Sequence, residues 1–182
     1  GVPGTVGGAI RMNAGAYGRE ISNFLTSLRV MTLDGKVKEL SRKEVEFSYR
    51  HSSLRSDEIV VSAKFKFEKG TPEVIQVLKS KASESRKATQ PLRFRSAGSI
   101  FKNPPEKPAG QLIDQAGLKG TRVGGAEISE KHANFFVNHG DASSEDLAEL
   151  IRLARRTVRE KFDIHLELEI MTLGFPEGTF DA

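Results

Sequence analysis

An α+β fold in two lobes is what this sequence of 182 residues predicts, and three features predict it. Two strand-like runs, Leu28–Leu33 and Lys36–Leu40, flank Asp34-Gly35, a strong hairpin signal. An alternating strand and a helix with its own start and stop signals follow at residues 58–87. Beyond residue 90 comes a second compact set of short strands with two more helices.

In chain order, residues 1–23 are rich in Gly, Ala and Asn without a period, which predicts a looped segment whose backbone approaches something closely. After the hairpin, Phe47-Ser48-Tyr49-Arg50-His51-Ser52 predicts a loop. Ile59, Val61, Ala63, Phe65 and Phe67 alternate, as in a strand burying that face. Thr71-Pro72-Glu73 supplies an N-cap, a proline at the first helical position and an acid in the first turn. Gln90-Pro91 stops that helix, because a residue before proline avoids helical geometry. We therefore expect lobes at 1–88 and 89–174 and a frayed tail at 175–182.

In the second lobe, Ser96–Pro104 predicts a tight turn into a short strand. Ala109–Ala116 reads as a short helix with Gly117 as its C-cap. Arg122–Ile128 and Asn134–Asn138 read as strands. Ser143–Phe162 is the clearest helix, with Ser143 as cap and Leu147, Leu150, Ile151, Ala154 and Val158 on one stripe. His165–Leu173 is expected as a closing strand.

Composition narrows the function. No apolar run approaches the roughly eighteen residues of a membrane span. There are no cysteines, which removes disulfides and thiolate metal sites and fits a reducing cytoplasm. His51, His132, His139 and His165 have no metal-ligand spacing, so no metal is expected. The net charge of +4 is spread among interleaved acids, which argues against nucleic acid and suits a small anion such as a nucleotide diphosphate. The opening has neither an initiator Met nor a signal peptide, as expected of a cut inside a larger protein.

Taken singly, the polar candidates are weak. Gly1–Ala9 could bring backbone N–H groups to an anion, but composition alone favours a plain connector. Ser99 lacks a hydrolase motif around it and alone is a turn serine; if it acts, it donates a proton. Arg50 offers a planar fork for carboxylate or phosphate, or is simply solvated. Glu167 and Glu169 share one strand face, which alone suggests a solvent face.

Together the segments are specific. Gly1-Val2-Pro3-Gly4-Thr5-Val6-Gly7-Gly8-Ala9 and Met12-Asn13-Ala14-Gly15-Ala16-Tyr17-Gly18 resemble a flavin-binding stretch of UDP-N-acetylenolpyruvoylglucosamine reductases. Phe47–Ser52 resembles that family's Tyr-Arg motif, and Ser96-Ala97-Gly98-Ser99-Ile100-Phe101-Lys102-Asn103-Pro104 its serine signature. Leu112–Gly120, Gly124-Gly125-Ala126, Lys131-His132-Ala133-Asn134-Phe135 and Leu166–Ile170 follow in the family's order. The resemblance covers residues 1–174; Leu168 stands where proline or a charged residue is commoner, and the family's N-terminal flavin half is missing.

The resemblance implies part of an FAD-binding lobe of the vanillyl-alcohol-oxidase type followed by a small α+β substrate-binding lobe. It implies NADPH-dependent, FAD-mediated reduction of UDP-N-acetylglucosamine enolpyruvate to UDP-N-acetylmuramate by a cytoplasmic, monomeric enzyme of peptidoglycan biosynthesis. Arg50 and Glu169 would stabilise the enolate, and Ser99 would protonate the neighbouring carbon. A glutamate beside an enolate must be protonated or act through a hydrogen bond. Gly1, Pro3, Gly4, Thr5, Val6, Gly7, Gly8, Asn13, Gly15, Ala16 and Tyr17 would face FAD, and Tyr49, Lys87, Asn103 and His132 the substrate. The alternative is a sugar-nucleotide-binding fragment without redox activity.

Overall fold

The computed structural model describes residues 4–181, so Gly1 and Pro3 lie outside the described residues. Two compact units emerge, Gly1–Val77 and Leu78–Ala182, each around its own apolar core.

The first unit corrects the expected loop over residues 1–23. Val6–Arg11 is a helix, α1, capped by the Thr5 hydroxyl, which accepts from the Gly8 amide at 3.1 Å. Ile10 of α1 is fully buried, and packing of that side chain with the cap outweighs the poor helix propensity of Gly7 and Gly8. Gly15–Ala16 (β1) and Arg19–Glu20 (β2) form a hairpin, and a 3-10 turn follows at Ile21–Asn23. Both turn residues, Tyr17 and Gly18, have positive φ, the geometry that matches strand twist in two-residue turns.

The Asp34-Gly35 hairpin forms as expected, from Leu25–Thr32 (β3) and Val37–Ser41 (β4). The stretch expected as a loop after it holds a second tiny hairpin, Phe47–Ser48 (β5) with His51–Ser52 (β6), turning at Tyr49-Arg50. Glu58–Phe65 (β7) completes an antiparallel sheet of order β4-β3-β7. Its expected alternation fails in the middle. Val30 pairs with Val60 while Arg29 pairs with Ser62, so Val61 is an extra residue in a bulge. The bulge shifts the phase: Val60, Ala63 and Phe65 pack on the core, and Ile59 and Val61 are exposed. Arg11 ties α1 to the approach to β7, donating to the carbonyls of Leu54 (3.3 Å), Arg55 (2.8 Å) and Glu58 (2.5 Å).

Pro72–Thr89 is the expected helix, α2; none of its side chains is buried, so local start signals carry it. In the second unit, Arg95–Ser99 (β8) leads to helix Ala109–Gln115 (α3), with Gly117 just beyond its end. The single strand expected over 122–128 is a hairpin, Arg122–Val123 (β9) and Ala126–Ile128 (β10), folded at Gly124-Gly125. Phe135–Asn138 (β11) completes a four-stranded antiparallel sheet, β8-β11-β10-β9.

Helix Ser144–Phe162 (α4) begins with a capping box. The Ser143 hydroxyl accepts from the Asp146 amide at 3.1 Å, and Asp146 accepts from the Ser143 amide at 3.0 Å. Asp146 also accepts from the Gly125 amide at 3.1 Å, which ties the hairpin turn to the helix start. Leu150, Ile151, Ala154 and Val158 of α4 are buried in the unit's core with Phe101, Leu112, Ile113 and Phe136. Full burial of each large aliphatic contributes about 1.5–3 kcal/mol.

Two expectations at the end of the chain are corrected. The closing strand reduces to a single antiparallel bridge, Phe101 with Leu168, flanked by hydrogen bonds from Lys102 N to Glu167 O and from Glu169 N to Ile100 O, both 2.8 Å. The ladder cannot extend past Lys102, where Asn103-Pro104-Pro105 follows and proline has no N–H to give. The tail is not frayed over its described residues. Phe180 is 9% exposed and meets Phe175 edge-on at 5.0 Å, while Arg152 and Arg155 donate to the carbonyls of Thr179 and Phe180.

Candidate active site

Ser99 ends β8 opposite Phe135. The signature around it is a bulged strand rather than a turn leading into one. Val137 pairs with Ser96 and Phe135 with Ser99, leaving one extra residue on β8. Gly98 lies there at φ +86°, a left-handed conformation that L side chains rarely adopt. An inserted residue reverses the face on which the following side chain emerges, so this bulge sets the direction of Ser99.

One residue farther on, two other parts of the chain converge. The Ile100 amide donates to Asn134 O at 2.9 Å, and the Ile100 carbonyl accepts from Glu169 N at 2.8 Å. Ser99 and Glu169 thus stand on backbone segments joined by direct hydrogen bonding, within one unit. Glu167 turns to solvent and pairs with Lys102, whereas Glu169 is half-buried; the two acids do not share one environment.

The Asn134 side chain takes no part in the expectations, yet it is 2% exposed and fully engaged. Its Oδ1 accepts from the Phe101 amide at 2.9 Å, and its Nδ2 donates to the Phe101 carbonyl at 2.8 Å. The available signal was a carboxamide at the mouth of the apolar run Phe135-Phe136-Val137.

The expected substrate contacts of the second unit differ in their surroundings. Asn103 Oδ1 accepts from the Ala109 amide at 3.0 Å, which orders the entry to α3. The His132 ring lies edge-on to Phe135 at 4.9 Å, and its Nδ1 accepts from the Asn134 amide at 3.3 Å. Burial, helped by the nearby Lys119 charge, pushes the His132 pKa below the usual imidazole range. A neutral ring with Nδ1 accepting carries its proton on Nε2 and can donate from there. Lys87 is exposed on α2, and its carbonyl accepts from Lys131 Nζ at 2.6 Å.

In the first unit, Arg50 sits at φ +53° in the β5–β6 turn, its guanidinium 4.8 Å from the Tyr49 ring centroid and 3.5 Å from Gly15 O. Asn13 is fully buried, with Nδ2 donating to Glu20 (2.7 Å) and to Ser48 O (3.0 Å), so its side chain serves the unit's own scaffold. A Cβ on Gly15 would lie 2.7 Å from Arg19 O, so the β1–β2 hairpin itself demands glycine. Tyr17 and Ala16 are exposed at the tip of that hairpin.

Gly4, Thr5, Val6 and Gly8 are exposed and Gly7 half-buried at the start of α1. Gly4 has φ +120°, and nothing lies within 4 Å of where its Cβ would stand. The first amides of a helix have no intrahelical acceptor. An open glycine backbone at a helix start fits one side of a phosphate cradle.

The described chain is thus an α+β protein of two units, the first opening on a glycine-rich helix start. Residues 1–41 match the family model of an FAD binding domain, and residues 90–173 that of the UDP-N-acetylenolpyruvoylglucosamine reductase C-terminal domain. The chain belongs to the UDP-N-acetylenolpyruvoylglucosamine reductase family. It is 47% identical over 175 residues to the reductases of Streptococcus pneumoniae strains CGSP14 and Hungary19A-6, a match covering 96% of this chain and 58% of each of theirs. The crystal structure of the Thermus caldophilus reductase superposes with a TM-score of 0.82 at 42% identity, covering 94% of this chain and 61% of that one. The chain therefore spans about three fifths of the length of these relatives.

Proposed function

We propose that this chain is the larger part of an NADPH- and FAD-dependent reductase that converts UDP-N-acetylglucosamine enolpyruvate to UDP-N-acetylmuramate for peptidoglycan in the cytoplasm. Bound FAD would relay two electrons from NADPH to the enolpyruvyl double bond. Gly4, Thr5, Val6, Gly7 and Gly8 would hold its phosphates, and Ala16 and Tyr17 would also face it. Addition to an alkene conjugated with a carboxylate builds charge on that carboxylate, and Arg50 and Glu169 are the groups to stabilise it. Ser99 gives a proton to the adjacent carbon. Tyr49, Lys87, Asn103 and His132 are assigned to sugar and diphosphate.

The observation that carries this reading is the crossing at Ile100. Ser99 precedes it, and Glu169, seventy positions away, donates its amide to it at 2.8 Å. A proton donor and a charge stabiliser for one small carboxylate must lie close together, and this crossing brings their backbones together.

The test is Ser99→Ala in an intact reductase carrying this chain. Protonation belongs only to the substrate-dependent half-reaction. A positioned general acid contributes about 10²–10⁴-fold in rate, so that half should slow by at least about 10²-fold. The NADPH-dependent half should be unchanged. Rapid-mixing absorbance follows each half; equal slowing of both would make Ser99 structural, and slowing of neither would move the proton source elsewhere.

A further inference from the structure

We propose that Asn134 is a positioning residue for the reaction, its carboxamide standing in for a strand residue to hold Ser99 and Glu169 in mutual register. The inference rests on the reading that those two residues serve the chemistry. β8 pairs with β11 as far as Ser99 and Phe135. One residue farther on, the Ile100 amide still donates to the Asn134 carbonyl; beyond it the ladder ends, because the chain before Asn134 turns away at His132-Ala133, where the Phe135 amide bonds back to His132 O. A peptide group presents one donor and one acceptor to its neighbour across a ladder. The Asn134 side chain presents the same pair to Phe101, Oδ1 to its amide at 2.9 Å and Nδ2 to its carbonyl at 2.8 Å.

This clamp works where water does not. Phe101 is 0% exposed and Asn134 2%, and buried backbone groups must be paired. On its other edge the same short segment carries the bridge to Leu168 and the bond from the Glu169 amide to Ile100 O. Asn134 also fixes Ile100 itself through its main-chain carbonyl, at 2.9 Å from the Ile100 amide. Segment 99–101 is thus held between Asn134 on one side and residues 167–169 on the other.

No other side chain meets the same requirement. Aspartate keeps the shape and the acceptor but has no donor, and it sets a carboxylate against the Phe101 carbonyl. Leucine keeps the volume and leaves both Phe101 groups unpaired. Glutamine is one methylene too long to meet both at once.

The experiment compares Asn134→Asp and Asn134→Leu with Ser99→Ala in an intact reductase carrying this chain. Misplacing a reacting group by about 1 Å costs on the order of 10²-fold. The substrate-dependent half-reaction of Asn134→Asp should slow by about that factor, with the NADPH-dependent half within about twofold of the parent. In a Ser99→Ala background the further slowing should be much smaller, since the two changes act through one group. Amide hydrogen exchange of the 182-residue chain gives a second readout independent of turnover. The Glu169 amide should lose protection in Asn134→Asp, including if Asn134→Leu does not fold. A folded Asn134→Asp enzyme with parental half-reactions overturns the proposal, as does unchanged protection of the Glu169 amide. The two readings fail separately. If only Ser99→Ala slows the substrate half, the positioning role is lost and the acid role stands. If only Asn134→Asp slows it, the acid role is lost and Asn134 acts through Glu169.

Discussion

Gly98 and Gly125 lie in the same lobe and carry opposite physical demands, so replacing each with alanine tests the geometry against itself. Gly98 has φ +86° and nothing within 4 Å of an added Cβ, so Gly98→Ala incurs backbone strain alone. A single L residue in left-handed geometry costs about 1–2 kcal/mol. Gly125 has no such φ, but its Cβ would lie 2.4 Å from the Ala142 amide nitrogen and 2.7 Å from the Asp141 carbonyl carbon. Those are main-chain atoms and cannot swing aside. Relief means moving the β9–β10 turn, which also strains the Gly125 bond to Asp146 (3.1 Å) and the His139 bond to Gly125 O (3.0 Å). Overpacking costs about 1–3 kcal/mol, and a weakened charged hydrogen bond adds to it, so about 3 kcal/mol is expected. At this chain length 1 kcal/mol moves the melting temperature by about 2–4 °C. Thermal unfolding followed by circular dichroism should therefore show Gly98→Ala lower by about 3–6 °C and Gly125→Ala lower by about 9 °C. A Gly98→Ala loss equal to or larger than that of Gly125→Ala would refute the division into dihedral strain and steric conflict.

Asp146 gives a pH prediction. The Ser143 amide, then its hydroxyl, then the Gly125 amide hold its carboxyl below the usual range. A depressed folded pKa stabilises above the unfolded value, about 3.9, and that stabilisation disappears as pH falls through the folded value. The melting-temperature gap between the parent and Asp146→Asn should be constant near neutrality and shrink below about pH 4; a gap that stays constant down to about pH 2.5 would contradict this. A third expectation concerns the flavin: because the match to the FAD domain covers only residues 1–41, the 182-residue chain alone should lose FAD on gel filtration. Stoichiometric FAD in the eluted peak would show that this glycine-rich edge suffices.

What the sequence revealed depended on whether a signal was local. α2 and α4 were legible because Pro72 and the Ser143–Asp146 capping box are written within one helical turn. The β3–β4 hairpin was legible from Asp34-Gly35. α1 was hidden because its stability comes from Ile10 in a distant core rather than from propensity. The buried face of β7 was misread because alternation carries no mark for the extra residue at Val61, which only pairing with β3 reveals. The same holds at the candidate site. Ser99 and Glu169 stood out through resemblance, whereas Asn134 acts through a side chain imitating a peptide group, and that is visible only once Phe101 lies opposite it.

The way the last described residues are held has an evolutionary consequence. Arg152 and Arg155 donate to the carbonyls of Thr179 and Phe180, and a carbonyl is common to every amino acid. Such a grip is indifferent to the side chains on the gripped segment. Apart from an aromatic ring where Phe180 enters the core, residues 176–181 are therefore free to drift in sequence without coming loose, while α4 must keep both arginines. Selection for order in residues 176–181 then falls on a helix more than twenty positions upstream, and that segment becomes a part of the lobe where relatives can differ.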